Sequence, residues 1–237
     1  HTVNNRRSRL GAEITTVEHA IMMMGVQPFF QRFSRLVSVE DRLAADPAAL
    51  ATLRRLAARA HHAAYQARDW AIYRSDIESE EVFVAALLAE LPEMLLACFA
   101  PQRASAFSLA ELRDALFDAC RIPELLRDLA DANSSAHPRV LNVALAAAIA
   151  RHAESGWWGP ALERDREAAA AFLHLAPDDA TARIHRTAVL AARAWTWYGA
   201  PPAAAWLPML PPPETPASPA PAPAPNGTQA LLARTFD

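Results

Sequence analysis

Alanine-rich segments run through most of this chain, and they restrict the fold more than any other feature. Residues 144–150 read Ala-Leu-Ala-Ala-Ala-Ile-Ala, a composition with high helix propensity and few of the β-branched residues that favour strands. The chain has only six glycines, too few for a turn-rich β fold. With 237 residues and 52% hydrophobic content, it can bury one good core or two small ones. We therefore predict an all-α protein built as a multi-helix bundle.

Caps and apolar spacing predict two short helices near the beginning of the chain. Thr15-Thr16-Val17-Glu18 resembles a helix cap followed by an early acidic residue, and Gly25 is a suitable helix end. Pro28 is suited to open the next helix, which carries Phe29, Phe30, Phe33 and Leu36. We expect these large apolar side chains to be core residues.

A long helix is predicted from Asp46-Pro47 to about Arg74. Its leucines and alanines recur at helical spacing, and the alanine-rich inner face favours close helix packing. We expect four arginines on this helix to be solvated: Arg54, Arg55, Arg59 and Arg68.

The segment after Ser79 is apolar almost all round, which predicts a central helix that Pro92 kinks or divides. Further helices are predicted at 108–120, 123–132, 138–153, 160–173 and 178–197. Residues 1–208 would then form one helical domain. Residues 209–237 are rich in proline and alanine, which predicts a disordered tail. Because the chain begins at His1, we expect that an N-terminal element is missing.

Charge and cysteine content exclude several classes of function. The formal charge of −3 gives no overall field for a phosphate backbone, so we expect no nucleic-acid partner. Cys98 and Cys120 are too few for a disulfide framework and lack metal spacing, so we expect both in the core. There is no run of about 18 or more apolar residues and no signal-type segment, which favours a cytoplasmic location without a membrane.

Four segments resemble one known family, and their order along the chain agrees with it. Ile14–Gly25 reads Ile-Thr-Thr-Val-Glu-His-Ala-Ile-Met-Met-Met-Gly, and Val3-Asn4-Asn5 resembles the element before it. Arg59–Ala67 is similar to a helix of that family that contains a histidine, and His62 takes the histidine position. Arg121–Leu126 is similar to a family segment that contains Leu-Pro. The chain is thereby identified as a member of the HDOD family, the HD-related output domains. One departure is that Ala119-Cys120-Arg121 lacks the tryptophan that precedes the family proline.

What the resemblance implies is a degenerate branch of the HD metal-dependent phosphohydrolases. In that superfamily a His-Asp pair ligates the metal, whereas Ala89 and Glu90 stand at the corresponding positions here. A methyl group cannot ligate a metal, and such chemistry requires several converging ligands. We therefore expect no enzyme activity, no metal and no cofactor. The candidate ligand-binding residues, in the helical cleft that once held the metal, are His62, Ala89 and Glu90.

His62 and Glu90 allow two interpretations. A histidine on a packed helix is more often a hydrogen-bonded core residue than a ligand, and a buried Glu90 needs a partner, for which His62 is the natural candidate. A rebuilt metal site would use His62 and Glu90, with Glu93 near them only if Pro92 leaves the helix intact. His61 would face elsewhere and be solvated.

Other polar and aromatic groups give weaker signals. His137, His152, His174 and His185 lack metal spacing, and Ser134-Ser135 lacks an accompanying acid for nucleophilic catalysis. Two aromatic clusters, Trp157–Trp158 and Trp195–Tyr198, would stack on a nucleotide base or a partner, or more simply close the end of a core.

The sequence thus predicts a non-catalytic bacterial signalling or regulatory domain that binds a partner protein or small ligand in the degenerate cleft. One alternative is a metal-dependent nucleotide phosphohydrolase with a rebuilt metal site. A second is a structural interaction module that recruits partners through its proline-rich tail.

Overall fold

The computed structural model describes residues 14–100, 108–131, 137–194 and 199–207. Within these ranges the regular elements are all helices, which confirms the predicted all-α class. The predicted tail at 209–237 lies outside the described residues, as does Val3-Asn4-Asn5.

Eleven α-helices and two short 3-10 turns make up the described part of the chain. In order they are α1 (Val17–Met24), α2 (Val26–Phe33), α3 (Val39–Arg42), α4 (Pro47–Tyr73), α5 (Ser79–Ala89), α6 (Leu91–Phe99), α7 (Leu109–Cys120), α8 (Glu124–Ala130), α9 (Pro138–His152), α10 (Pro160–Leu173) and α11 (Pro177–Ala194), with 3-10 turns at Ala153–Ser155 and Ala203–Trp206. The predicted helices agree with these bounds to within a few residues. The last three residues predicted for the final helix, 195–197, lie outside the described residues.

α4 is the central helix of the bundle. Asp46 caps its first turn by accepting a hydrogen bond from the Ala49 amide at 2.9 Å, and Pro47 occupies the first position, where a missing N–H costs nothing. Alanines on its inner face are fully buried, so neighbouring helices approach closely. α5, α9 and α11 pack directly on it.

The apolar stretch after Ser79 is divided, as predicted. α5 ends at Ala89, Glu90 forms the turn, and Pro92 is the second residue of α6. The whole stretch Ser79–Phe99 has 21 residues and a mean hydropathy of 2.0 in its most apolar window, enough to cross a membrane by length and composition alone. α5 packs on α4, α8 and α9, and α6 packs on α4 and α7. In the most apolar window, 39% is buried inside the protein.

Two clusters of buried side chains form the core. The larger one joins α4, α5, α8, α9, α10 and α11, with Trp70, Val82 and Ile149 among its members. The smaller one lies where the first half of α4 meets α6 and contains Leu53, Leu56 and Ala97. Cys98 packs against this second cluster and Cys120 ends α7; both are free thiols and only half-buried, so neither is the core residue that was expected.

The expected core position of the early aromatic residues is wrong. Phe30 and Phe33 are exposed, as is Leu36, and Phe29 packs mainly on the two neighbouring phenyl rings. α1 and α2 pack mainly on each other, so the described part of the bundle leaves this apolar face uncovered. α2 also begins at Val26, because Pro28 falls within the first turn, where no intrahelical N–H bond is lost.

Candidate functional site

The predicted residues Ala89 and Glu90 lie on the wall of a cleft of about 250 Å³. The turn between α5 and α6 supplies one side, and α7, α8 and α9 supply the others. Three alanines of α9, at 144, 147 and 148, form an apolar wall. The polar side chains at the cleft are Glu90, Glu93, Arg113 and Arg151.

Glu90 is buried, with 2% of its surface exposed, and its partner is Arg59 of α4. The Arg59 guanidinium donates from Nη2 to Glu90 Oε2. Two predictions are therefore wrong: His62 is not the partner of Glu90, and Arg59 is not solvated, since only 8% of it is exposed. Arginine is rarely buried without an ion-pair partner, and here Arg59 is paired with two carboxylates.

Arg59 binds more than one carboxylate. The same Nη2 donates to Glu93 Oε2, and Nη1 lies 3.6 Å from Glu154 Oε2, just after α9. Burial by itself would lower the pKa of Arg59, but hydrogen bonds and charge from Glu90 and Glu93 raise it above its usual value. Arg59 is thus a permanent cation between α4, α6 and the end of α9.

Two further arginines complete this network. Arg55 lies 2.9 Å from Glu154, and Arg151 lies 3.8 Å from Glu90 Oε1. Three carboxylates therefore meet three guanidinium groups, and the charges within the network balance. Arg151 is the outermost member, because about half of its side chain is exposed, and it lines the cleft.

This arrangement does not fit a divalent metal. Among the described residues no three His, Cys, Asp or Glu side chains are grouped so that they would hold a metal ion. Ala89 has no side-chain donor atom, and both carboxylates that line the cleft with it are bound to Arg59. A metal at this place would have to displace a buried guanidinium from two carboxylates at once.

His62 lies on the same helix as Arg59 but does not line the cleft. It is 5% exposed, and burial, together with the neighbouring His61, lowers its pKa to about 4. The expected burial is confirmed, but the expected hydrogen bond is not found: neither ring nitrogen has a partner in the described part of the chain. Its ring lies 6.1 Å from that of Trp157. His61 is half-buried beside Tyr65, so the expectation that it is solvated holds only in part.

Trp157 is a buried member of the larger core cluster, which agrees with the prediction that this aromatic cluster closes the end of a core. Its indole N–H donates to the Ala203 carbonyl at 2.8 Å, and the ring of His185 stands edge-on against it, 4.9 Å between centroids. His152 pairs with Asp165, and His137 caps α9. Ser134-Ser135 and Trp195–Tyr198 lie outside the described residues.

A second cavity, of about 430 Å³, lies on the other side of Glu93. Its lining includes Leu56 and Ala97 of the smaller core cluster, together with Leu96 and the charged residues Asp46 and Arg55. Glu93 and Leu109 line both cavities.

Sequence reasoning named Glu93 only as a possible neighbour of a metal site, and it missed the roles of Arg59, Glu154 and Arg151. Glu90 lies 31 positions after Arg59, and Glu154 lies beyond four further helices, so no local pattern joins them. The one available signal was a buried-looking carboxylate at Glu90 that required a cation.

A family model described as HDOD domain matches residues 1–122. This match confirms the family resemblance and includes His62, Ala89, Glu90 and Arg59. It ends within the fourth of the segments that carried the resemblance, Arg121–Leu126. No curated protein and no solved structure matches the chain. The predicted domain limit at residue 208 stays a prediction.

Proposed function

Because the chain belongs to the HDOD family, whose model matches its first 122 residues, we propose that it is a non-catalytic regulatory domain. It binds a partner protein or a small ligand in the cleft between α5–α6 and α9. The same resemblance supports a bacterial signalling context, and a cytoplasmic location is part of this proposal.

The observation that carries the proposal is the ion pair of Arg59 with Glu90 and Glu93. A phosphohydrolase of this type uses a divalent cation to activate water and hold phosphate. Here an arginine side chain supplies the positive charge, and it offers no open coordination position for water. Removing one partner of a buried ion pair costs about 3–5 kcal/mol, so the guanidinium is a stable substitute for a removable ion.

The cleft itself suits binding more than catalysis. Its walls are mainly alanine, leucine and valine, with charged groups at a few points, which is the usual composition of a ligand site. At about 250 Å³ it has room for one large apolar side chain of a partner or a compact small molecule. Arg151 is the group best placed to meet an incoming acidic or polar group, because it is exposed and only loosely paired, at 3.8 Å.

The test fills the cleft. Ala147 of α9 lines it, so Ala147→Trp places an indole in the space while every residue of the Arg59 network keeps its own side chain. Ala168→Trp, at an exposed position of α10, is the matched control. Small-molecule binding is measured by ligand-observed NMR with a fragment library, and protein binding by affinity capture from a bacterial extract.

We expect Ala147→Trp to lose the captured protein or the bound fragments, and Ala168→Trp to keep them. A chain lacking residues 210–237 should bind as the full chain does. Binding that survives Ala147→Trp but disappears with residues 210–237 would instead make the tail the recruiting element.

A further inference from the structure

One ridge of α4 carries three buried polar side chains in successive turns. His62, Gln66 and Trp70 recur every four residues and so lie above one another on one face of the helix. Their exposed fractions are 5%, 0% and 0%. The ridge continues the line of Arg59, but it lies away from the cleft described above.

None of the polar atoms on this ridge has a hydrogen-bond partner among the described residues. These atoms are both ring nitrogens of His62, the carboxamide oxygen and nitrogen of Gln66, and the indole nitrogen of Trp70. The groups that flank them on α4 are paired: Arg59 binds Glu90 and Glu93, and Asp69 lies 2.6 Å from Arg183 of α11. The ridge residues differ from these neighbours because every polar atom of their side chains lacks a hydrogen-bond partner among the described residues.

In folded proteins, buried polar atoms are normally hydrogen-bonded to protein groups or to water. Each unpaired buried donor or acceptor carries a desolvation penalty, and five together amount to a large share of the stability of a whole domain. Buried polar groups without a protein partner are commonly bound to ordered water, which makes several hydrogen bonds to them.

The chemistry of the ridge selects the ligand. The indole and the carboxamide nitrogen only donate, which disfavours a cation, whereas the carboxamide oxygen only accepts, which disfavours an anion. A neutral imidazole both donates and accepts. Only a small neutral group that donates and accepts fits all three side chains, and water is the smallest of these.

An open cavity lies beside one end of the ridge. Asn142 of α9 donates to the Ala67 carbonyl of α4 at 3.0 Å, while its own side-chain oxygen has no partner in the described chain. Asn142 and Phe172 line an open cavity of about 240 Å³, and the Phe172 ring lies 6.2 Å from that of Trp70. The cavity also contacts Ala71, the residue after Trp70, so it lies beside the Trp70 end of the ridge.

We propose that the ridge is an internal water-binding site, in which ordered water joins the Gln66 carboxamide to the His62 imidazole and the Trp70 indole N–H. The water belongs to the fold, and this inference does not depend on the proposed function.

The first test is a crystal structure of the full chain at a resolution that shows ordered water. We expect water within hydrogen-bond distance of Gln66 and of at least one of its two ridge neighbours. A dry ridge, in which Gln66 turns to accept directly from Trp70 and donate directly to His62, would overturn the proposal.

The second test counts long-lived internal water by oxygen-17 relaxation dispersion in solution. Gln66→Leu should lose part of that signal, whereas Gln31→Leu, the same change at an exposed position of α2, should keep all of it. An unchanged signal in folded Gln66→Leu would contradict the proposal. If Gln66→Leu does not fold, the crystal structure of the unmodified chain still decides.

Discussion

The guanidinium of Arg59 donates to the carboxylate of Glu90, and both side chains are buried between α4 and the α5–α6 turn. The same nitrogen binds Glu93. A single cation therefore fixes two carboxylates on the wall of the cleft that Ala89 also lines, and it joins helices that are far apart in the sequence.

Removing Arg59 should destabilise the fold strongly. Arg59→Met leaves Glu90 buried without its cation, so we expect the free energy of unfolding to fall by about 3–5 kcal/mol, measured by urea denaturation. Arg54→Met is the matched control, because Arg54 makes a more exposed ion pair with Glu40 at 3.4 Å, and its loss should stay below about 1 kcal/mol.

Neutralising Glu90 should rescue part of that loss. In the double variant Arg59→Met, Glu90→Gln, no unpaired charge stays buried, so its stability should lie above that of Arg59→Met alone. Equal losses for Arg59→Met and Arg54→Met would show that the buried pair is not a major stabilising contact.

His62 should make stability fall as the solution becomes acidic. In the folded chain its pKa is about 4, whereas an unfolded histidine titrates near about 6.5. Between these pH values the unfolded chain binds a proton at His62 that the folded chain does not, so unfolding becomes easier as pH falls from about 6.5 to 4. The expected loss at His62 is on the order of 3 kcal/mol.

The pH prediction is checked by urea denaturation of wild type and His62→Gln across this range. The variant should show a shallower decline, and His174→Asn, at an exposed helix end, should behave as wild type. His61 and His185, whose pKa values burial also lowers, should account for part of the slope that stays. A His62→Gln profile as steep as wild type would refute the assignment.

Two glycines before α10 offer a matched comparison of steric effects. Gly156 and Gly159 have nearly the same φ, 142° and 143°, which disfavours any side chain. A methyl group at Gly156 would lie 2.6 Å from the Trp158 ring, whereas one at Gly159 would meet nothing within 4 Å. Gly156→Ala should therefore lower the thermal midpoint more than Gly159→Ala. Equal shifts would mean that Trp158 moves aside freely.

Much of the fold could be predicted because its signals are local. Thr16, Asp46 with Pro47, Ser108 and Pro160 mark helix starts through hydrogen bonds or ring geometry within one turn, and the helices begin there. The exposure of Phe30 and Leu36 could not be predicted in the same way, since apolar spacing shows that a face exists but not whether another helix covers it.

The candidate site was predictable only in part for the same reason. Ala89 and Glu90 could be found from the segment they occupy, and both do lie on the cleft. The role of Arg59 depends on Glu90, Glu93 and Glu154 meeting it across three elements. In the sequence, Arg59 resembles the exposed arginines of the same helix. Its burial depends on partners that are distant in the sequence, so it could not be predicted from local spacing.

The most direct test of the central claim is the metal content of the purified full chain. It is measured by mass spectrometry after incubation with manganese or iron, with a parallel assay for hydrolysis of nucleotides and generic phosphodiesters. We predict no stoichiometric metal and no turnover, since Arg59 already holds both carboxylates. One bound metal per chain, lost in Glu90→Gln or His62→Ala and accompanied by hydrolysis, would contradict the account and make this protein an enzyme.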